Sequence, residues 1–459
     1  MSNLSLSSLM HCFQGVTPCS VATCSRDGVP NVTYLSQLFY VDAKHLAMSC
    51  QFFNKTRRNL DEHPYAAVQV YDPTCFEAYE IHLKFVRSET SGPLFDQMSL
   101  RIDAIASHSG MAGVFKLLSA DVCEVLSVER IEGFLEPNQA APDAVENDQA
   151  ALRNELRALQ VIGERVCRAP DLETLLDRTL ESLDELLGIQ NSLVLLTDDD
   201  DRLVTIASHG YGEAGIGAEV ALGEGLIGTV ARERRSLRVS GMREGLRYGR
   251  AIRDRVVEQG GTSQLRPEIP LPGLPDAGSQ IALPLIVQDQ LLGVLAAESK
   301  RVLGLADWQE AMLEVVATQL AVGIDRLLEE EDEEEETEPM RPSMLGFSKA
   351  PPRRFTFYRN DDCVFVDGEY LIRNVPGKLL WKLLKAYQEQ ARQEFSNREL
   401  RLDPWLGLPA VKDNLESRLI LLRKRLQEKC PDIRLVPVRR GHFALELDRP
   451  IELSERDSA

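Results

Sequence analysis

Ten residues, Glu329 to Glu338, hold nine carboxylates and one Thr. Charges packed that densely repel one another, and the segment has no apolar side chain whose burial could offset the entropy of ordering it. No single compact domain can run through such a stretch. The chain of 459 residues is therefore expected to divide there, with roughly 100 residues after the run and room for two domains of ordinary size before it. Residues 329–352 are expected to form a disordered acidic linker.

An apolar fraction of 44% is that of a globular protein. The formal net charge of −19 argues against a protein that coats nucleic acid, but the acidic run alone supplies nine of those charges and the remaining imbalance is ordinary. That charge is unevenly spread, however. From Pro352 to the end there are 21 Lys plus Arg against 17 Asp plus Glu, so only the tail has a sign compatible with DNA. The nine Cys are odd in number, scattered, and never arranged as CxxC. They read as small buried side chains kept reduced in a cytosol, and as neither a disulfide framework nor a zinc ribbon. The first ten residues lack the basic and apolar regions of a secretion signal, and nowhere do about 18 apolar residues run consecutively. A cytoplasmic protein with no membrane segment and no metal site is expected. Without a Ser-His-Asp set or a kinase core, no catalytic residue can be named, which favours sensing over turnover.

The fold class expected is multidomain α+β. Residues 1–135 show short β-rich runs, such as Val68 to Tyr71, punctuated by a hairpin turn at Ser25 to Gly28 and a candidate turn at Val41 to Lys44. Closely spaced strands with few helices point to a small barrel. Pro18-Cys-Ser-Val-Ala-Thr23, Asp27-Gly-Val-Pro-Asn31 and Phe52-Phe-Asn-Lys-Thr-Arg-Arg-Asn-Leu60 resemble the pyridoxamine 5′-phosphate oxidase-like split barrel. The resemblance implies FMN as cofactor, its phosphate gripped by Lys55, Thr56, Arg57, Arg58 and Asn59; members that hold haem or no cofactor are the alternatives. Two guanidinium forks and an ammonium within four residues suit a phosphate. His108 is expected to fill a turn beside Gly110 or to touch a cofactor.

Residues 150–328 begin with Leu152, Leu156, Leu159, Ile162 and Val166 at helical spacing, and Asp171 opens a second amphipathic helix through Leu187. Strand-like runs follow at Asn191 to Leu196, Arg202 to Ala207, Ser279 to Ile286 and Gln290 to Ala297, with a last helix from Ala306 to Leu328. Gly223-Glu-Gly-Leu-Ile-Gly228 fits GxGxxG in letters, but the run before it, Ala218 to Gly223, is too short and mixed for the buried parallel strand of a dinucleotide loop, and the βαβ unit is missing. It reads as the turn into a short helix, Leu226 to Arg234. This order, with Ala282-Leu-Pro-Leu285 and Leu292-Gly-Val-Leu295, resembles a GAF domain, an antiparallel sheet flanked by helices. The resemblance implies a small-molecule effector against the variable loop, where Arg243, Arg247, Tyr248 and Arg250 suit an anion. It also implies a homodimer through the apolar faces Leu152 to Leu187 and Leu313 to Leu327.

Residues 353–450 start with strands at Phe355 to Tyr358 and Val364 to Ile372, the latter broken by an Asp-Gly turn. Helices at Lys378 to Tyr387 and Asp413 to Lys429 and a hairpin at Arg434 to Leu445 complete the module. Leu422-Arg-Lys-Arg-Leu426 and Val438-Arg-Arg-Gly-His-Phe443 resemble the winged-helix output domain of response regulators. The resemblance implies DNA as partner, contacted by Arg418, Arg423, Lys424 and Arg425 on the helix and by Arg439 and Arg440 on the wing. Ile420 and Leu421 stand where that family has groove-facing polar residues, and are expected to lie exposed for docking another protein or another copy. The leading expectation is a signal-responsive transcription regulator. The alternatives are an FMN-dependent oxidoreductase regulated by its GAF domain, and an interaction scaffold that does not bind DNA.

Overall fold

The computed structural model describes residues 4–15, 18–35, 37–51, 55–73, 75, 77–131, 149–198, 202–211, 215–241, 246, 247, 250, 253, 273, 274, 276–330, 351–408, 415–439 and 441–457. A 3₁₀ segment, Leu6–Phe13, leads into the first module. Its strands are β1 (Cys19–Cys24), β2 (Pro30–Leu35), β3 (Leu38–Asp42), β4 (His45–Cys50), β5 (Tyr65–Tyr71), β6 (Ala78–Glu89) and β7 (Ser119–Arg130). They form one antiparallel sheet in the order β2-β1-β5-β6-β7-β4-β3. The turn at Ser25 to Gly28 forms as expected, with Gly28 at φ +82°, a conformation glycine adopts without a Cβ clash. Helix α1 (Lys55–Glu62) packs on β1, and α2 (Pro93–His108) lies between β6 and β7 in sequence.

The second module contains α3 (Gln149–Cys167), α4 (Leu172–Leu187), β8 (Asn191–Asp198), β9 (Arg202–His209), β10 (Glu219–Ala221), α5 (Gly225–Glu233), β11 (Leu237–Ser240), β12 (Ser279–Val287), β13 (Gln290–Ser299) and α6 (Asp307–Glu330). Asp171 caps α4 by accepting a hydrogen bond from Thr174 N at 2.7 Å, a contact worth about 1 kcal/mol. The six strands pair in the order β10-β9-β8-β13-β12-β11. Alternating side chains send Val194, Ile281 and Leu295 to one face of this sheet, onto α3, α4 and α6. Leu193, Ala282 and Ala296 go to the other face, onto α5. The apolar faces expected to make a homodimer are thus largely spent inside the chain: Ile162, Val166, Leu176, Leu183, Leu313 and Leu320 share one core. Leu156, Val315 and Val322 remain exposed. Helix α6 runs through Glu330, so the acidic run begins in a helix; residues 331–350 of the expected linker lie outside the described ones.

The third module carries β14 (Arg353–Tyr358), β15 (Cys363–Val366), β16 (Glu369–Ile372), α7 (Asn374–Gln390), β17 (Glu394–Ser396), α8 (Asn397–Arg401), α9 (Leu415–Lys429), β18 (Ile433–Arg439), β19 (His442–Leu447) and β20 (Ile451–Arg456). Asp367 and Gly368, both at positive φ, make the tight turn from β15 to β16. One sheet runs β16-β15-β14-β20 and a smaller one β17-β19-β18. The module extends past the expected end at 450, because β20 pairs in parallel with β14 from Arg353↔Ile451 to Tyr358↔Arg456. Among the described residues no helix is long and apolar enough to cross a membrane, and no group of three or more His, Cys, Asp or Glu is placed to hold a metal ion.

Candidate functional site

Helix α9 is the meeting point of the second and third modules. Leu419, Leu422 and Leu426 face the tail's own core, while Ile420, with 0% exposure, joins the core of the second module. Leu421 packs toward Ile216, Gly217 and Val204. The expectation that Ile420 and Leu421 lie exposed is therefore overturned: their solvent-excluding partner is α4 and β9 of the same chain.

The basic side chains follow the same face. Arg418, 5% exposed, donates to Asp198 at 3.0 Å. Arg423 reaches Glu173 at 3.2 Å, and also Glu416 within its own helix at 3.2 Å. Lys424 meets Asp177 at 3.0 Å. Arg425 donates to the Ile216 carbonyl at 3.0 Å and pairs with Glu428 at 2.9 Å. Burial raises the Glu173 carboxyl above its usual range, against the opposing pull of Arg423 and Lys424. All four basic residues expected to meet DNA on this helix are therefore occupied by carboxylates or a carbonyl in this arrangement. On the hairpin, the Arg439 backbone ends β18, but its side chain and the whole of Arg440 lie outside the described residues.

A second junction joins the first two modules. At the end of α2, Ser107 Oγ accepts from Gly225 N at 2.8 Å, and His108 Nε2 accepts from Leu226 N at 2.9 Å. These two side chains satisfy the free amides that open α5. Gly225 sits at φ +62°, and a Cβ there would meet His108 Cε1 at 2.6 Å. A Cβ on Gly228 would meet the Ala221 carbonyl at 2.2 Å. The GxGxxG spacing thus serves a tight turn and a domain contact. His108 neither fills a turn within its own module nor stands free for a cofactor. Leu100 and Ala104 of α2 join Leu226, Ile227 and Val230 of α5 in one core. Arg101, 8% exposed, donates to the Gln14 carbonyl and, at 3.5 Å, to Ser240 O; burial pushes its guanidinium down, and Arg238 adds to the effect.

In the basic segment of the barrel the five candidate residues divide. Arg57 pairs with Asp121 at 2.7 Å and Asp61 at 3.1 Å, donates to Ser88, and lies over the Phe85 ring. Thr56 accepts from Asn31 at 3.0 Å, and Asn59 donates to Thr23 at 3.1 Å. Those three hold α1 to the sheet. Lys55 and Arg58 are exposed at the start of the helix, where backbone amides favour an anion. A phosphate there would meet Arg58 and Lys55, whose Nζ donates to the Pro30 carbonyl at 3.4 Å, and would reach Arg57 only by displacing a carboxylate.

In the second module Arg247 and Arg250 are exposed on the variable loop, while Arg243 and Tyr248 lie outside the described residues. Sequence reasoning missed a polar cluster on the α5 face of the sheet. Glu298, 2% exposed, accepts from Tyr211 Oη at 2.9 Å, Leu274 N at 2.6 Å and Gln280 Nε2 at 2.6 Å. Burial raises its carboxyl above the usual range although these three donors act against the shift. The signal available was a single charge ending the apolar run Leu291 to Ala297.

Comparison with known proteins follows this division. Residues 9–128 match the family model for pyridoxamine 5′-phosphate oxidase, and residues 171–324 match that for the GAF domain. Among solved structures, the GAF domain from a phosphoenolpyruvate-protein phosphotransferase of Coxiella burnetii is 23% identical, with 39% of this chain and 96% of that one covered and a TM-score of 0.31. The free methionine-R-sulfoxide reductase from Neisseria meningitidis is 20% identical over 40% of this chain and 95% of its own, with a TM-score of 0.31. An FMN-binding protein from Syntrophomonas wolfei is 15% identical over 28% and 90%, with a TM-score of 0.24. No curated protein matches the chain. The chain thus carries a pyridoxamine 5′-phosphate oxidase-type barrel segment followed by a GAF domain.

Proposed function

We propose that the chain is a signal-responsive regulator: the barrel and the GAF domain receive a flavin-borne or small-molecule signal, and the tail, a winged helix of response-regulator type, is the output that grips DNA. The docking of α9 on the GAF domain carries this reading. DNA phosphates and the carboxylates of Glu173, Asp177 and Asp198 would compete for the same guanidinium and ammonium groups. An output helix paired in this way is held off DNA, and a signal that loosens the contact raises DNA affinity by the same coupling free energy. A homodimer through the helical faces of the GAF domain would use the exposed Leu156, Val315 and Val322.

The test is a salt titration of duplex binding by the full chain beside an Asp177→Lys variant. Asp177 is 44% exposed, so reversing it disturbs the contact without emptying a core. The variant should bind about tenfold more tightly, and both proteins should lose affinity steeply with salt as phosphate contacts release counterions. Absence of DNA binding by both at low salt would sink this reading.

The match of the barrel segment supports a second reading, an FMN-dependent oxidoreductase governed by the GAF domain. Bound FMN would supply redox chemistry, and Lys55 and Arg58 would hold its phosphate. Flavin bands in the visible spectrum of the purified protein, lost on changing Lys55 and Arg58 to Ala, would support it; a haem band or a blank spectrum would count against it.

A further inference from the structure

The GAF domain and the tail enclose a cleft of about 730 Å³, a size typical of small-molecule sites. Its charged lining comes from both sides: Asp198, Arg202 and Glu219 from the GAF domain, and Arg373, Arg418 and Arg425 from the tail. Four guanidiniums therefore face two carboxylates, with Glu428 reaching Arg425 from outside the lining. The Glu219 carboxylate lies between two of them, 2.9 Å from Arg202 Nη1 and 3.0 Å from Arg373 Nη2. Two planar forks, one on each module, already converge on a single oxyanion. The first residues of α7, Asn374 and Pro376, also line the cleft, and Arg373 at its N-cap supplies no side-chain cap. The positive end of that helix adds to the same field. The Glu298 cluster alternates onto the opposite face of the sheet with Ala296, so this is a separate site.

We propose that this cleft binds a phosphorylated small molecule whose phosphoryl group takes the place of the Glu219 carboxylate between Arg202 and Arg373. A phosphoryl group brings more acceptor oxygens and more charge than a carboxylate, and so meets both forks and the positive excess of the lining. A ligand touching arginines of both modules binds the docked arrangement better than the separated one, and shifts the equilibrium toward docking. Its effect on output, retention of α9 on the GAF domain, rests on the proposed regulatory role of that contact.

Inorganic pyrophosphate is the probe, titrated calorimetrically into the full chain at fixed ionic strength. The comparison is an Arg202→Gln/Arg373→Gln variant, whose side chains are 51% and 54% exposed in the parent, so that no core is lost. Binding to the parent should weaken about tenfold or more in the variant, the loss expected for charge-assisted hydrogen bonds. Pyrophosphate should also slow acylation of Lys424 in the parent. Undiminished binding in the variant, or none to the parent at millimolar probe, overturns the site. A Lys424 already protected without ligand, in a protein that ignores pyrophosphate, would sink the cleft and spare the docked α9. A freely reactive Lys424, with pyrophosphate binding still lost in the variant, would do the reverse.

Discussion

Replacing Ile420 by Ala removes Cγ1, Cγ2 and Cδ1 from a side chain with 0% exposure that packs into the GAF core. At about 0.8 kcal/mol per buried methylene the transfer loss alone is about 2.4 kcal/mol. The residual cavity term is small if two modules can part at their boundary instead of keeping a void. The docking equilibrium should then shift roughly 50-fold toward separation. Acylation of Lys424 reads this directly, because its side chain is 17% exposed and its amine pairs with Asp177 only when docked. With opening and closing fast relative to labelling, the rate follows the separated population. Lys424 should therefore label about 50-fold faster in the variant. Lys385, on the tail but away from the contact, and the buried Cys430 thiol should keep their rates. An unchanged rate at Lys424 would refute the reasoning. An equal rise at Cys430 would refute it differently, by showing that Ile420 supports the fold of the tail.

Changing His108 to Ala strands the buried Leu226 amide and should cost about 1–3 kcal/mol in thermal unfolding of the barrel and GAF modules, with Ser107→Ala milder; no change would mean water replaces the cap. Arg57→Ala leaves the Asp121 carboxylate, 5% exposed, without its ion partner; its two serine donors, Ser88 and Ser119, temper a loss of about 3 kcal/mol in chemical denaturation, which a solvated basic turn would not give. Lys385, then Arg359 and the Trp381 indole, hold the Glu455 carboxyl down at about 2. The stabilisation from this depressed value is present above the ordinary glutamate pKa of 4.5 and is lost as pH falls through 2. Solvent screening limits it to about 1 kcal/mol. Glu455→Gln should flatten the acid limb of the tail's unfolding profile, and an unaltered limb would refute the assignment.

Local chemistry was legible in the sequence wherever a residue's partner lay nearby in the chain. Asp171 announced the start of α4, and the Asp367-Gly368 pair announced a hairpin, because capping and turn geometry depend on a few neighbouring backbone groups. The glycines from Gly223 to Gly228 could be set apart from a dinucleotide loop, but the partner that Gly225 accommodates, His108, is supplied by another module. On α9 the apolar and basic residues were visible while their destination was not. A guanidinium accepts a phosphate or a carboxylate with similar geometry, so Arg418 and Arg423 read equally as DNA contacts or as partners of Asp198 and Glu173. Ile420 likewise signals only that something must cover it.

The two junctions differ in what salt can do to them. Between α2 and α5, Leu100, Ala104, Leu226 and Val230 share a core, and both amide caps are buried, so screening by ions has little to act on. Between α9 and the GAF domain the apolar contact is narrower, centred on Ile420 and Leu421. It is flanked by ion pairs whose acidic partners Asp198, Glu173 and Asp177 are 33%, 33% and 44% exposed. Through these part-exposed carboxylates the pairs are open to ions, and they weaken as the screening length falls from ~10 Å at 0.1 M to ~3 Å at 1 M salt. Raising salt to molar concentration should therefore free the tail while the barrel and GAF domain stay joined. In solution scattering the particle should lengthen, while hydrogen exchange at the start of α5 stays slow. If α5 amides lose protection together with the lengthening, the junctions are equally strong, and the tail cannot be the part that moves alone.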